Sequence, residues 1–235
     1  NENQQTFLQT IINQNNIDET SSIQDQNNND GNFEPIELGY QRWELGQIVE
    51  LNLSSNPINN INYGYEISQI PSDLSEMISL QYLDLGNNQL TEISNDIGLL
   101  VELKSLRVDN NYITGNLTSG GIPTSIGYLG ELEILSLANN FITIPNPAIY
   151  SLTNLEELYL NNNQIYYLDN DLGNLELLNI LKLNNNEIAT IPNEIRFLDH
   201  LNDLNASYNQ LSTFNTNLRY LSELLYLDFS NNYIQ

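Results

Sequence analysis

The 235-residue chain has no cysteine, one histidine and only six lysine and arginine residues. Without cysteine it can form no disulfide, no zinc–thiolate site and no thiol nucleophile, but both cytosolic and secreted proteins can lack cysteine. The six cations face 30 acidic residues, which gives a net charge of −24. Such a surface repels phosphate, so we expect no nucleic-acid partner. Charge favours basic proteins or divalent cations, unless the acidity serves only solubility.

Long apolar runs are also missing. No stretch approaches the roughly 20 apolar residues of a membrane span, so we expect no membrane insertion. No signal peptide is visible, and residue 1 is asparagine rather than methionine. This pattern indicates either removal of an N-terminal segment or a fragment.

Asparagine, in contrast, recurs at regular spacing. Eight members of one frame follow each other at intervals of 32, 23, 29, 23, 23, 23 and 23 residues. They are Asn56, Asn88, Asn111, Asn140, Asn163, Asn186, Asn209 and Asn232. A nearly fixed period in this range is typical of a solenoid built from one repeated unit.

The unit at residues 178–200, LNILKLNNNEIATIPNEIRFLDH, shows the local structure that we expect. Its first six residues alternate apolar and polar, which predicts a short strand with one buried face. Asn186 follows where the chain leaves the strand, and its amide can satisfy buried backbone groups there. Pro192 excludes a strand interior in the returning arm, which we expect to be a loose turn or short helix.

The frame LxxLxLxxNxIxxIPxxIxxL resembles a leucine-rich repeat and covers residues 48–235 in eight units, the last incomplete. The resemblance implies an α/β solenoid, a horseshoe with a parallel concave β-sheet and an irregular or short-helical convex side. Residues 122–143 are similar to repeats of plant-type extracellular receptors, and residues 42–58, with Trp43, resemble the start of such ectodomains. An extracellular or cell-surface location is therefore expected, with the cytoplasm as the alternative.

Residues 1–47 are predicted to cap the first repeat. Phe7, Leu8, Ile11 and Ile12 fall on one face of a helix predicted over residues 4–12. Residues 13–32 are polar and low in complexity, which indicates an extended connection. A solenoid must cover the apolar end of its first repeat, and the helix and Trp43 can do so.

The candidate binding surface is the concave face of the predicted sheet, where the outward positions of successive strands form columns. Two columns come from the strand positions themselves, and a third column, just before the turn, contains Asp109, Asn161 and Asn184. Exposed aromatic residues and arginine are typical of protein interfaces, although each position can also be an ordinary solvated strand residue. The predicted partner-binding residues are Tyr82, Asp84, Arg107, Ile134, Glu157, Tyr159, Ile180, Lys182, Asp203, Tyr226 and Asp228.

Two repeats carry insertions after the asparagine, at residues 61–66 and 115–121. Insertions of this kind decorate one face of a solenoid, sometimes the binding face. Three sequons for N-glycosylation are present, at Asn52, Asn116 and Asn205. Asn116 lies in an inserted loop, whereas sugar on Asn52 or Asn205 would shield part of the concave face.

The inventory of catalytic side chains is small. His200 is the only histidine and falls in a turn, so no histidine metal pair or Ser–His–Asp arrangement is indicated. Carboxylates are plentiful, but a regular repeat spreads them along a surface instead of gathering them in a pocket. The acidic segment 17–30 lacks the spacing of a calcium loop. We therefore expect no enzyme, no metal and no cofactor.

The last repeat stops at NNYIQ, directly after its asparagine. Three explanations stay open: the natural chain continues, a partner covers the end, or another copy docks there head to tail and builds a ring or filament. The predicted apolar edge consists of Leu224, Leu227, Phe229 and Ile234.

The leading functional hypothesis is a non-enzymatic recognition module that binds a protein or peptide on the concave face. One alternative is a structural protomer that assembles end to end outside the cell. Another is an intracellular scaffold or regulatory subunit, which the absence of cysteine favours.

Overall fold

The computed structural model describes residues 2–15, 40–54, 66–71, 74–115 and 120–235. Asn56, the sequon at Asn116, the acidic segment 17–30 and most of both insertions lie outside these residues. Within the described residues, no helix is long and apolar enough to cross a bilayer.

One nine-stranded sheet runs through the described repeats in the order β1-β2-β3-β4-β6-β8-β9-β10-β11. Strand β1 pairs with β2 in antiparallel fashion, and every later pair in this sheet is parallel. The strands are β1 (Tyr40–Glu44), β2 (Gln47–Asn52), β3 (Tyr82–Asp84), β4 (Ser105–Arg107), β5 (Thr114–Gly115), β6 (Ile134–Ser136), β7 (Phe141–Ile142), β8 (Glu157–Tyr159), β9 (Ile180–Lys182), β10 (Asp203–Asn205) and β11 (Tyr226–Asp228). Strands β5 and β7 form a separate two-stranded parallel sheet.

The middle residue of each repeat strand points into the core because side chains alternate across a strand. From Leu83 to Leu204 these leucines are almost fully buried. In the last strand Leu227 is 43% exposed, whereas Leu204 beside it is 0% exposed. Leu224, Phe229 and Ile234 are half-buried and pack against the core.

The asparagines make the backbone hydrogen bonds that their position predicts. Asn111 is buried; its Nδ2 donates to the carbonyl oxygens of Leu85, Val108 and Asp109 at 3.0, 3.2 and 3.1 Å. Its Oδ1 accepts from the backbone N–H of Leu90 at 2.9 Å. Each such side chain therefore joins its own turn to the preceding repeat, where the strand hydrogen bonds have ended.

The residue before each of these asparagines has a left-handed backbone, with φ between 54° and 58°. Asparagine tolerates this conformation better than other side chains do. Asparagine occupies the position in every described repeat except one, where Tyr208 stands at φ 54°.

The returning arms contain short 3₁₀ helices, in agreement with the predicted loose turn or short helix. Several of them begin at a residue whose side chain caps the helix. At Ser94, for example, Oγ accepts from the backbone N–H of Asp96 at 3.2 Å. The helices are Ser75–Met77, Asn95–Leu99, Thr124–Tyr128, Pro147–Ser151, Asn170–Asn174, Asn193–Phe197 and Thr216–Tyr220. With the parallel sheet on the concave side, they complete the predicted α/β solenoid.

At the N-terminal end, helix α1 (Glu2–Gln14) buries its predicted apolar face. The fully buried Gln4 anchors it: its Nε2 donates to the carbonyl oxygen of Glu76 at 2.7 Å, and its Oε1 accepts from the backbone N–H of Ile48 at 3.0 Å. Sequence reasoning missed both Gln4 and the β1–β2 hairpin that carries the half-buried Trp43. The division of the chain at residue 47 stays a prediction.

Candidate functional site

The outward residues of strands β2, β3, β4, β6, β8, β9, β10 and β11 lie in two columns, which we call the concave face. Pairing of neighbouring strands gives the same register throughout. The first column is Glu50, Tyr82, Ser105, Ile134, Glu157, Ile180, Asp203 and Tyr226, and the second is Asn52, Asp84, Arg107, Ser136, Tyr159, Lys182, Asn205 and Asp228. All eleven predicted partner-binding residues therefore share one surface.

Burial separates the members of this face. Tyr82 and Tyr226 are the most accessible aromatic residues, with 39% and 69% of their surface exposed. Ile134, Tyr159 and Ile180 are half-buried, so that each presents apolar surface to solvent. Ser105 and Ser136 are buried and offer little to a partner. The apolar contact surface thus lies at the tyrosines and isoleucines, separated by charged residues.

Two of the cations on this side of the sheet are paired. Lys182 Nζ lies 2.6 Å from Asp203 Oδ2. Arg42, on strand β1, pairs with Glu44 and with Glu50, and its Nε lies 3.0 Å from Glu50 Oε2. The Arg42 guanidinium also lies over the Tyr82 ring, 5.8 Å from its centroid. Sequence reasoning missed Arg42 because the hairpin that places it there was not predicted.

Tyr159 is held by its neighbour in the same strand. Its hydroxyl donates to Glu157 Oε2 at 2.7 Å. Burial and this hydrogen bond raise the pKa of Tyr159 to about 12, against the opposing effect of the Arg107 charge. Tyr159 is therefore a neutral side chain with a fixed ring orientation at physiological pH.

Both carboxylate oxygens of Asp84 accept hydrogen bonds within the chain. Its Oδ1 accepts from the backbone N–H of Gly86 at 2.9 Å, and its Oδ2 accepts from Asn52 Nδ2 at 3.1 Å. Burial raises the pKa of Asp84, against the hydrogen bond from Gly86. In the last strand, the hydrogen bond from the backbone N–H of Ser230, at 2.9 Å, lowers the pKa of the exposed Asp228.

Asp109 follows strand β4, and one of its carboxylate oxygens is engaged with the next repeat. Its Oδ1 accepts from the Ser136 hydroxyl and from the backbone N–H of Ala138 at 3.1 Å. Arg107, two residues earlier, is half-buried. Within the described ranges its side chain makes no hydrogen bond and no ion pair.

A cavity of about 170 Å³ opens on the N-terminal part of the concave face. It ends against Arg107 and Ser105 on one side and against Glu50 and Asn52 on the other, with Tyr82 and Asp84 between them. Leu51 and Leu83 line its floor. The concave face can therefore receive a small side chain next to the Arg107 guanidinium.

The two sequons on the concave face differ in accessibility. Asn52 is 9% exposed and its Nδ2 is engaged with Asp84, so attachment of sugar there requires this hydrogen bond to break. Asn205 is half-buried, and its Oδ1 accepts from both the backbone N–H and the hydroxyl of Ser207. Glycosylation at Asn52, Asn116 and Asn205 stays a prediction.

His200 lies away from the concave face on an exposed turn. Its Nδ1 is 3.3 Å from Glu223 Oε2, and both side chains are largely solvated. In the part of the chain that the structure describes, no group of three histidine, cysteine or acidic residues could hold a metal ion. Among the described residues, the side-chain partner of His200 is Glu223 and not a nucleophile.

Comparison with known proteins gives one family. A model for two copies of leucine-rich repeats matches residues 131–177, and a single-repeat model matches residues 79–100. No curated protein matches the sequence.

Solved structures give the same result. A leucine-rich-repeat protein of Leptospira interrogans is 32% identical over 72% of the chain, with a TM-score of 0.67. PEPR1, in a structure with AtPEP1, is 25% identical over 80% of the chain, with a TM-score of 0.68. An internalin of Listeria monocytogenes is 28% identical over 78%, with a TM-score of 0.63. The chain spans 41%, 25% and 54% of these three proteins, respectively.

Proposed function

Because the chain is a leucine-rich-repeat protein, we propose that it is a non-enzymatic interaction module that binds a protein or peptide on its concave face. The observation that carries the proposal is the register of the sheet, which aligns eleven chemically mixed side chains on one accessible surface. A rigid parallel sheet holds them in place without any partner, which reduces the entropy lost on binding.

The composition of this surface supports a protein or peptide ligand. Exposed tyrosines and isoleucines supply apolar contact area, and the charged residues between them supply orientation. The structure of PEPR1 with AtPEP1 supports the same class of ligand, since that protein shares the fold. Fold alone does not give function, so the proposal rests on the side chains of this surface.

Selection from a random-peptide phage library on the immobilised protein tests the proposal. The affinities of the selected peptides are then measured for the unmodified chain, for Tyr159→Ala and for the control Tyr128→Ala. Tyr128 is a 72% exposed aromatic residue in the 3₁₀ helix Thr124–Tyr128, away from the sheet. We expect Tyr159→Ala to weaken binding about fivefold or more, as loss of a central aromatic contact does, and Tyr128→Ala to leave it unchanged. Peptides that bind both variants equally, or no enriched peptide, would contradict the proposal.

We propose an extracellular location for this module. Residues 122–143, which resemble extracellular receptor repeats, support it. The intact mass of the protein from its native source provides the test: attached glycan at Asn116, which is not a residue of the concave face, is expected, and an unmodified mass with cytosolic fractionation would favour the intracellular scaffold.

A second candidate is end-to-end self-association, which the exposure of Leu227 favours. Sedimentation velocity over a range of concentrations decides it. Concentration-dependent larger species that disappear in Leu227→Asp would support this candidate, and a monomer at all concentrations would eliminate it.

A further inference from the structure

Arg107 is an exception among the cations near the concave face. Lys182 is paired with Asp203 at 2.6 Å, Lys104 with Glu133 at 2.8 Å, and Arg42 with Glu50 at 3.0 Å. Arg107 is half-buried, yet within the described residues its guanidinium has no ion pair and no hydrogen-bond acceptor. A guanidinium carries five N–H donors in a fixed fork, so this side chain is unsatisfied within the chain.

Among the described residues, neither acidic neighbour of Arg107 forms a hydrogen bond or ion pair with its guanidinium, although burial raises the pKa of Asp84 and the Arg107 charge opposes this rise. Asp84 lies directly beside Arg107 in the sheet register. Its Oδ1 accepts from the backbone N–H of Gly86, and its Oδ2 accepts from Asn52 Nδ2. Asp109, two residues on, accepts from Ser136 and Ala138. These hydrogen bonds hold both carboxylates to the backbone of their own turns and of the next repeat.

The tyrosine nearest to Arg107 in its own column is committed as well. Tyr159 lies two strands away in that column and donates its hydroxyl to Glu157 at 2.7 Å. The cavity of about 170 Å³ lies against Arg107 and is also lined by Tyr82, Glu50 and Asp84. Glu50 is paired with Arg42, and Asp84 is hydrogen-bonded to Gly86 and Asn52, which leaves Arg107, among the described lining residues, as the unpaired charge of the cavity. The volume of this cavity exceeds several times the roughly 30 Å³ that one water molecule occupies in the liquid, so a carboxyl group can enter.

We propose that Arg107 is the anchor for a carboxylate of the bound peptide or protein segment. This inference rests on the proposed function, because it assigns the chemistry of a ligand that occupies the concave face. A carboxylate matches the planar fork of the guanidinium and can accept two parallel hydrogen bonds from it. Tyr82, at the edge of the cavity, packs against the carbon chain of the residue that carries the carboxylate.

The net charge of the chain opposes the binding of acidic ligands. A chain with a net charge of −24 repels acidic peptides in general. Long-range attraction therefore cannot produce a preference for carboxylate in the ligand, and only a local contact can do so. Both an acidic side chain and a free C-terminus supply this carboxylate, and the test separates the two.

Three synthetic peptide libraries test the assignment, each randomised on both sides of one fixed central residue. The first has central Glu and an amidated C-terminus, the second central Gln and an amidated C-terminus, and the third central Gln and a free C-terminus. The retained fraction of each library is measured on the immobilised chain, on Arg107→Gln and on Arg196→Gln. Arg196 is an exposed cation of the 3₁₀ helix Asn193–Phe197 and serves as the control of equal charge change.

We expect the unmodified chain and Arg196→Gln to retain about tenfold more of the first or third library than of the second, as a charge-assisted bidentate contact predicts. Arg107→Gln should lose this preference while its melting temperature is unchanged, because the Arg107 side chain makes no internal hydrogen bond within the described residues and the backbone bond to Leu85 is kept. Preference in the first library alone assigns a side chain, and preference in the third alone assigns a C-terminus. If the unmodified chain retains all three libraries equally, and Tyr159→Ala reduces this retention, the concave face binds peptide without a carboxylate anchor. That result would overturn the role of Arg107 but not the proposed function. No retention on any chain would overturn the proposed function.

Discussion

The side-chain Oδ1 of Asn140 accepts a hydrogen bond at 3.0 Å from the backbone N–H of Ile113, in the preceding repeat. The Nδ2 of the same residue donates to the carbonyl oxygens of Val108, Leu137 and Ala138 at 3.0, 3.1 and 3.2 Å. One buried amide thus satisfies a donor and three acceptors of the backbone across two repeats. The concave face keeps its register because this connection recurs from repeat to repeat.

Asn140→Ala should therefore destabilise the fold strongly. Each backbone group left unsatisfied in the interior costs about 1–3 kcal/mol, so we expect a loss of at least about 3 kcal/mol. Guanidinium denaturation measures it, with Gln164→Ala as the control, since Gln164 is polar but exposed. Equal midpoints for the two variants would show that the asparagine bonds contribute nothing.

The sequence predicts the repeats well because their cause is local and recurrent. The strand columns follow from the alternation in LxxLxL, and the asparagine bonds follow from the end of each strand. The hairpin of β1 and the position of Arg42 could not be predicted, because their pairing with β2 occurs only once. The pairing of Lys182 with Asp203 and the lack of an ion pair at Arg107 depend on side-chain geometry between repeats, which a pattern of residue types does not contain.

Tyr208→Asn should stabilise the protein. Tyr208 holds a left-handed backbone at φ 54°, and its side chain is 57% exposed, so little packing is lost. This conformation costs a residue with a Cβ about 1–2 kcal/mol, and less for asparagine. We expect a melting temperature about 2–4 °C higher by calorimetry. The reverse change in the neighbouring repeat, Asn185→Tyr, should lower it, and a rise there would refute the explanation.

Gly173→Ala should destabilise the stacking of the 3₁₀ helices. A Cβ at Gly173 would lie 2.8 Å from both the Cβ and the backbone oxygen of Glu194, so the two turns must separate. We expect a loss of about 1–3 kcal/mol. At Gly130, no atom lies within 4 Å of an added Cβ, and Gly130→Ala should be neutral or stabilising by up to about 1 kcal/mol. Thermal unfolding of both variants distinguishes them, and the opposite order would refute the close approach.

Asp84 and Asp228 should titrate on opposite sides of the ordinary aspartate range. Burial raises the pKa of Asp84 in the folded state above the ordinary aspartate value. Between these two pKa values the folded state binds more protons than the unfolded state, so the free energy of unfolding falls as the pH rises through this range. The hydrogen bond from Ser230 lowers the pKa of Asp228 in the folded state. The contribution of ionised Asp228 to the free energy of unfolding is therefore present above the ordinary aspartate pKa and is lost as the pH falls through the lowered pKa. Carboxyl carbon shifts followed by NMR between acid and neutral pH measure both groups. Coincident titrations would contradict this account.

The absence of cysteine allows the most direct test of the central claim, that ligand binds the concave face. A single cysteine is introduced at Ile180, on strand β9, or at Tyr128, on the convex side, and each carries a short thiol-attached photocrosslinker. A peptide selected on the unmodified chain is added and irradiated. We predict a covalent adduct from position 180 and none from position 128. Adduct from position 128 alone, or equal yields from the two, would contradict a concave binding face.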